Sequence, residues 1–295
     1  MDTVKLSLSN RGAKQLPHCL SKAKDTYTQY GEHYITGYAD NMHIKIKDDK
    51  ITVVGSLCKY LHSNNFENMT RLDTQYALEK LQDKMGMLLG QSNVYRIDVG
   101  YCLEMDKPVE NYLGLLDYAP NYKKLVQPKS IYFANGQRQL LLYDKLEESK
   151  SKGIAIPSQW QGKHLLRPEL RYLHRIKDQF KKVITAKHLY DPTFFAQLTE
   201  QWKANFNNIR KVKSLAPIQN NMTPDQFKDY LLADYIQQNG MDNILKKVDN
   251  HKDSITNKKA VQRIKDSIKN SKHLIIENPL IAELDYKIND VGYKD

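Results

Sequence analysis

The sequence predicts an α+β protein: an antiparallel sheet with flanking helices, followed by an all-helical C-terminal appendage. Three observations predict it. Extended and helical patterns alternate over the first two-thirds. Two pairs of extended segments are joined by tight-turn signals. Beyond about Asp191 only helical patterns remain.

The elements follow in order. Met42–Lys47 and Lys50–Val54 alternate around Asp48-Asp49, which reads as a hairpin. Thr70–Leu89 places Leu72, Tyr76, Leu78, Leu81 and Met85 at helical spacing. Val94–Tyr101 is extended. Lys107–Leu116 reads as a short helix with Pro108 at an early position. Ser130–Phe133 and Arg138–Tyr143 flank Asn135-Gly136, a strong hairpin turn. His164–Tyr172 is extended, and Pro168 predicts an edge strand or a bulge. Residues 173–188 read as helical and basic. Pro192–Val212, Thr223–Gln238, Met241–Val248 and Asn257–Lys269 all read as helices. Thr223-Pro224-Asp225-Gln226 has the cap, the early Pro and the capping-box Gln of a helix start. Residues 213–222 form the linker. Two regions result, 1–190 and 191–295.

Composition narrows the function classes. Lys and Arg exceed Asp and Glu by 11. Such a surplus attracts polyanions, nucleic acid foremost. Cys19, Cys58 and Cys102 contain no Cys-x-x-Cys pair. They read as free thiols of a reducing cytosol, not as a disulfide framework or a zinc knuckle. No segment is long and apolar enough to span a membrane, and Met1–Lys14 lacks an apolar signal core. The expected location is cytoplasmic.

Three extended segments carry candidate chemistry. Alternate side chains of a strand share a face. Ile97, Val99 and Tyr101 therefore point one way, and Arg96 and Asp98 the other. Tyr143 and Lys145 share a face with Gln139 and Leu141. Arg167, Glu169 and Arg171 form one polar row, with Leu166 and Leu170 behind it. Asp98 and Glu169 can hold a hard divalent cation through oxygen. A nearby cation or Lys145 would favour the phenolate of a tyrosine nucleophile. Lysines and arginines would bind flanking phosphates. A plainer reading exists for each. Most of the 19 tyrosines must simply pack, and an Arg-x-Asp or Arg-x-Glu strand is often an exposed ion-paired face.

At these residues the sequence resembles the gene II/gene X replication proteins of filamentous phages. Tyr95-Arg96-Ile97-Asp98 resembles their Arg-Ile-Asp strand. Arg138 to Tyr143, then Lys145 and the acidic Glu147-Glu148, looks like their Arg-x(4)-Tyr-x-Lys strand. Leu166 to Tyr172 is similar to their Arg-x-Glu-x-Arg block. Lys45–Asn65 is loosely similar, and the likeness covers roughly residues 40–185. The blocks also resemble rolling-circle plasmid initiators and conjugative relaxases.

The resemblance implies a replication initiator. It would nick and rejoin single-stranded or melted origin DNA through a covalent 5′-phosphotyrosine, with Mg2+ or Mn2+. Carried over, Tyr143 is the nucleophile, assisted by Lys145, and Asp98 and Glu169 are metal ligands. Tyr172 or Tyr190 is the alternative nucleophile, because plasmid initiators place theirs after the Arg-x-Glu block. Arg96, Arg138, Arg167, Arg171 and Arg175 are the expected DNA contacts; in a helix, Arg171, Arg175 and Lys182 would share a face. No His-hydrophobe-His pair occurs, and Leu173 stands where the phage block often has a second Glu. The third ligand is therefore unassigned, with His174 available or simply solvated. A conjugative relaxase and a non-catalytic origin-binding protein are the competing readings. The helical tail is expected to bind duplex origin DNA, to form a homodimer or to recruit a host helicase.

Overall fold

A computed structural model describes residues 1–9, 20–29 and 31–292. Cys19 lies outside the described residues. Contacts divide the chain into two compact units. The first holds residues 1–113, 118–209 and 285–295; the second holds 114–117 and 210–284.

The first unit is built on one antiparallel sheet. Its strands are β1 (Thr3–Ser9), β2 (Ser21–Tyr27), β3 (His33–Ala39), β4 (Met42–Ile46), β5 (Lys50–Ser56), β6 (Asn93–Gly100), β7 (Leu103–Met105), β8 (Lys123–Gln127), β9 (Ser130–Ala134), β10 (Arg138–Asp144) and β11 (His164–Tyr172). They run in the order β2-β3-β4-β5-β1-β6-β11-β10-β9-β8, with β7 beside β11. The helices are α1 (Leu57–His62), α2 (Arg71–Met85), α3 (Val109–Leu113), α4 (Lys145–Ser151), α5 (Ile176–Phe180) and α6 (Pro192–Asn207).

Period-two alternation gives the sheet its two faces. Val4 and Leu6, Met42 and Ile44, Ile51 and Val53, Ile97 and Val99, Leu170 and Tyr172, and Leu140 and Leu142 are all buried. These form the packed face. On it α6 buries Phe194, Phe195, Leu198, Trp202 and Phe206. The Trp202 Nε1–H donates to the Pro168 carbonyl at 3.2 Å, and Trp202 meets the Tyr101 ring at 4.8 Å. This apolar stripe makes α6 part of the sheet's own unit, so that unit runs to Ile209 and not to residue 190. The other face carries Lys5, Arg96, Asp98, Glu169, Arg171, Gln139 and Tyr143. A smaller apolar cluster of Phe66, Cys102, Leu146 and Leu165 closes one end of it.

Three local expectations are corrected. Pro168 lies in a central strand, not at an edge. On one side β6 pairs with residues 169–172 of β11, and β7 pairs with 164–166. The Pro168 carbonyl accepts from the Tyr101 N–H between those two ladders, so the missing proline N–H falls where the ladder is already interrupted. Lys145 is the first residue of α4, not the end of a strand, because Asp144 caps the helix by accepting from the Leu146 and Glu147 amides. The basic run 173–188 is no single helix. Arg175 and Lys181 take left-handed conformations, with φ of 52° and 56°, and confine α5 to five residues.

The second unit contains α7 (Pro224–Asn239), α8 (Met241–Asn250), α9 (Lys258–Asn270) and a two-stranded ladder of β12 (Ser214–Leu215) with β13 (Ile275–Ile276). Helix α7 starts with the expected capping box of Thr223 and Gln226. Ile236, Ile244 and Ile268 form the core of this unit. Helix α10 (Pro279–Asp290) follows, and its residues from Asp285 on belong to the first unit.

Candidate functional site

Strands β6, β11 and β10 lie side by side, and their register assembles the polar face. Asp98 stands opposite Arg171, and Gly100 opposite Glu169. Tyr143 stands opposite Arg167, and Gln139 opposite Arg171. The alternation expected from sequence thus places Asp98, Glu169, Arg96, Arg171 and Tyr143 on one face.

Both carboxylates are buried, at 1 % and 4 % exposure, and each is met by arginine. Arg96 forks onto Asp98, Nε to Oδ1 at 2.8 Å and the terminal nitrogen to Oδ2 at 2.6 Å. Arg171 Nε donates to Glu169 Oε1 at 2.6 Å and lies 3.8 Å from Asp98 Oδ2. Its Nη1 reaches Gln139 Oε1 at 2.9 Å. Burial pushes the Asp98 carboxyl up to about 7, with Glu169 adding to the rise and the two arginines opposing it. Gly100 leaves the space beside this pair open. A Cβ there would stand 3.3 Å from Arg167 Nε, Arg167 Nη2 and Glu169 Cγ.

Tyr143 borders a cleft of about 440 Å³ with Tyr132, Glu147, Glu148, Lys152 and Arg171. Its side chain is only 8 % exposed. Burial raises its phenol well above the usual range; Arg167 opposes that rise, and Glu169, Asp2 and Glu148 add to it. Lys145, the residue expected to assist the phenol, has its ammonium engaged by Glu148. It is fully buried, its ammonium donates to Glu148 Oε2 at 2.7 Å, and it sits 5.1 Å from the Phe66 ring centre.

The expected DNA contacts separate into different places. Arg96 and Arg171 are on the carboxylate face and partly exposed. Arg167 is 1 % exposed and is spent inside the protein. It donates to Asp2 Oδ2 at 2.7 Å, to the Asn65 carbonyl at 2.9 Å and to Cys102 Sγ at 3.0 Å. Arg138 lies on the packed face, 5.0 Å over the Tyr172 ring. Arg175 is exposed, ahead of α5. Of the alternative nucleophiles, Tyr172 is fully buried on the packed face and donates to Gln201 Oε1 at 2.6 Å. Tyr190 ends a short 3-10 turn, Ala186–Tyr190. His174 is exposed beyond the end of β11.

Sequence reasoning missed Asp2 and gave Glu148, part of the resemblance, no role of its own. No local signal marks the first, because its partner Arg167 lies 165 positions away. The Asp144 cap followed by Glu147-Glu148 is the signal for the second.

Among the described residues no group of three or more His, Cys, Asp or Glu is placed to hold a metal ion. Asp98 and Glu169 nevertheless flank one cationic group, Arg171, with hard oxygen donors. Mg2+ is commonly held by one or two carboxylates, with water and substrate phosphate completing its shell. A divalent cation held there would have to displace Arg171 from between the two carboxylates.

Fold and site together define an α+β sheet protein with one packed face and one charged face of paired carboxylates and arginines. The chain belongs to the phage family described as the N-terminal part of the gene II replication-associated protein, whose model matches residues 13–205. Membership in this replication-associated family supports a role as a replication initiator that acts on DNA. The segment from Arg210 onward lies outside the match. No curated protein matches the chain. No helix among the described residues is long and apolar enough to cross a membrane.

Proposed function

We propose that this protein starts rolling-circle replication by nicking one DNA strand with Tyr143 and later rejoining it. One observation carries the reading: Tyr143 borders the same cleft as Arg171 and shares a sheet face with Asp98 and Glu169. The Tyr143 oxygen bonds to phosphorus, the P–O3′ bond breaks, and the leaving 3′-oxygen takes up a proton from water. The product is a 5′-phosphotyrosine, which keeps the ester energy for rejoining. The phenol proton is lost to solvent in the cleft, helped by the positive charge of Arg167. Arg96 and Arg171 hold the carboxylates in place and orient phosphate. Mg2+ or Mn2+ on Asp98 and Glu169 would polarise the scissile phosphate. Lys145 acts as a positioning residue that fixes Glu148 at the cleft wall.

Labelled single-stranded DNA from the replicon tests this, with Mn2+ or EDTA, on the native chain and on Tyr143→Phe. The expected result is a covalent adduct that needs the metal and vanishes in the variant. An adduct that survives moves the nucleophile to Tyr190 or Tyr172. Complete absence of an adduct, with DNA binding retained, supports the second reading of a non-catalytic origin binder. Two observations favour that reading: Tyr143 is nearly buried, and both carboxylates are already ion-paired.

A further inference from the structure

We propose that the second unit binds duplex DNA through the outward face of α9. The proposal does not depend on the nicking reading, because it concerns a segment outside the family match and a different element.

Helix α9 is sharply two-sided. Ile268 is buried with Ile236 of α7 and Ile244 of α8. Asn257 caps the start of α9, accepting from the Ala260 amide at 2.9 Å. Lys258, Lys259, Gln262, Arg263 and Lys269 are exposed. At 3.6 residues per turn they occupy an arc of roughly 140°. The helix has a fifth cation, Lys265, which is partly buried and paired with Asp249 at 2.5 Å. The four outward cations have no ion pair among the described residues. Asp266 lies in the same arc, and its Oδ1 accepts from Gln262 Nε2 at 2.8 Å. Four cations and one carboxylate leave the face at +3.

Four features select duplex DNA from other polyanions. The arc has no aromatic side chain, whereas sequence-tolerant single-strand sites rely on stacking platforms. A 13-residue helix is about 20 Å long, and an α-helix fits the B-form major groove. The deep, narrow major groove of A-form RNA does not admit it. A helix that lies in a lipid interface must free its apolar face; α9 commits Ile268, 2 % exposed, to the core and leaves Ile264 39 % exposed. Lysines and Arg263 would neutralise phosphates, and Gln262 and Arg263 are the residue types that read adenine and guanine edges.

The test measures binding of the full chain to a short labelled duplex, to one of its single strands and to anionic vesicles, over a range of salt. The variant is Lys259→Glu, Arg263→Glu, Lys269→Glu. All three positions are exposed, and thermal unfolding followed by circular dichroism checks the fold. If the reversal unfolds the unit, Lys259→Gln, Arg263→Gln and Lys269→Gln carry the test. The expected result is duplex affinity lower by about tenfold or more, and a salt slope shallower by about three. Adduct formation on single-stranded DNA stays native in this variant, and Tyr143→Phe keeps native duplex binding. Unchanged duplex affinity with an unchanged slope overturns the proposal. So does a loss confined to vesicles or to the single strand.

Discussion

Asp98 receives a forked guanidinium and still holds its proton to about pH 7, because burial and the neighbouring Glu169 outweigh Arg96 and Arg171. This has a consequence for stability. The unfolded aspartate releases its proton near 3.9. Between that pH and about 7 the folded chain keeps a proton that the unfolded chain has lost. Stability attributable to this residue therefore falls as pH rises through that window, by up to about 1.4 kcal/mol per unit. Urea unfolding of the native chain and Asp98→Asn should show it as a difference that declines from about pH 4 to 7 and then levels. A difference that stays flat would mean that the arginines keep Asp98 ionised throughout. Arg167 shows the opposite limit of residue-scale reading. Its strand position was legible, but its fate was not. Asp2 and Asn65, which bury its charge, lie 165 and 102 positions away in sequence. An exposed phosphate contact and an internal counter-ion look identical in the triplet Arg-x-Glu.

At the scale of elements, Gly100 lets β6 and β11 carry bulky charged groups side by side. A methyl group there would meet Arg167 and Glu169 at 3.3 Å, with those side chains already buried. Gly100→Ala is expected to cost about 1–3 kcal/mol, as overpacking does. It should also reduce adduct formation by displacing Glu169, whereas an equal loss of stability from a change remote from the site should not. Unfolding midpoints and adduct yields, measured on the same preparation, separate the two. Elements with apolar periodicity were legible: the β4–β5 hairpin, α2, β6, the β9–β10 hairpin, and α7 with its cap. Among those missed, β1 carried a readable alternation of Val4, Leu6 and Leu8, whereas two others had no such pattern. Strand β8 is exposed at all five positions, and β2 has one partly buried residue in seven. Backbone pairing with β9 and β3 holds these strands, and it leaves no mark on side-chain type. Pro168 misled because its rule assumes a continuous ladder on both sides. The site was legible as a face, since alternation alone fixes which side chains of a strand share one, but the ion pairing and burial on that face depend on partners from distant segments.

For the whole molecule, the sequence boundary after Tyr190 marked a change of pattern, from strands to helices, rather than a change of core. Helix α6 belongs to the sheet by its buried aromatic stripe, and the separate core begins only after Ile209. That second core is small. Ile236, Ile244 and Ile268 form its central cluster, so truncating one of them should unfold it selectively. Ile268→Ala is expected to cost about 2–5 kcal/mol. Limited proteolysis should then cleave within residues 210–284, and duplex binding should fall with it. Adduct formation on single-stranded DNA should persist, because the carboxylates, arginines and Tyr143 all belong to the sheet and its own helices. If duplex binding and the adduct are lost together at one denaturation midpoint, the two cores fold as a single cooperative unit. Division of labour between a cutting sheet and a duplex-holding helix cluster would then fail as an account of the chain.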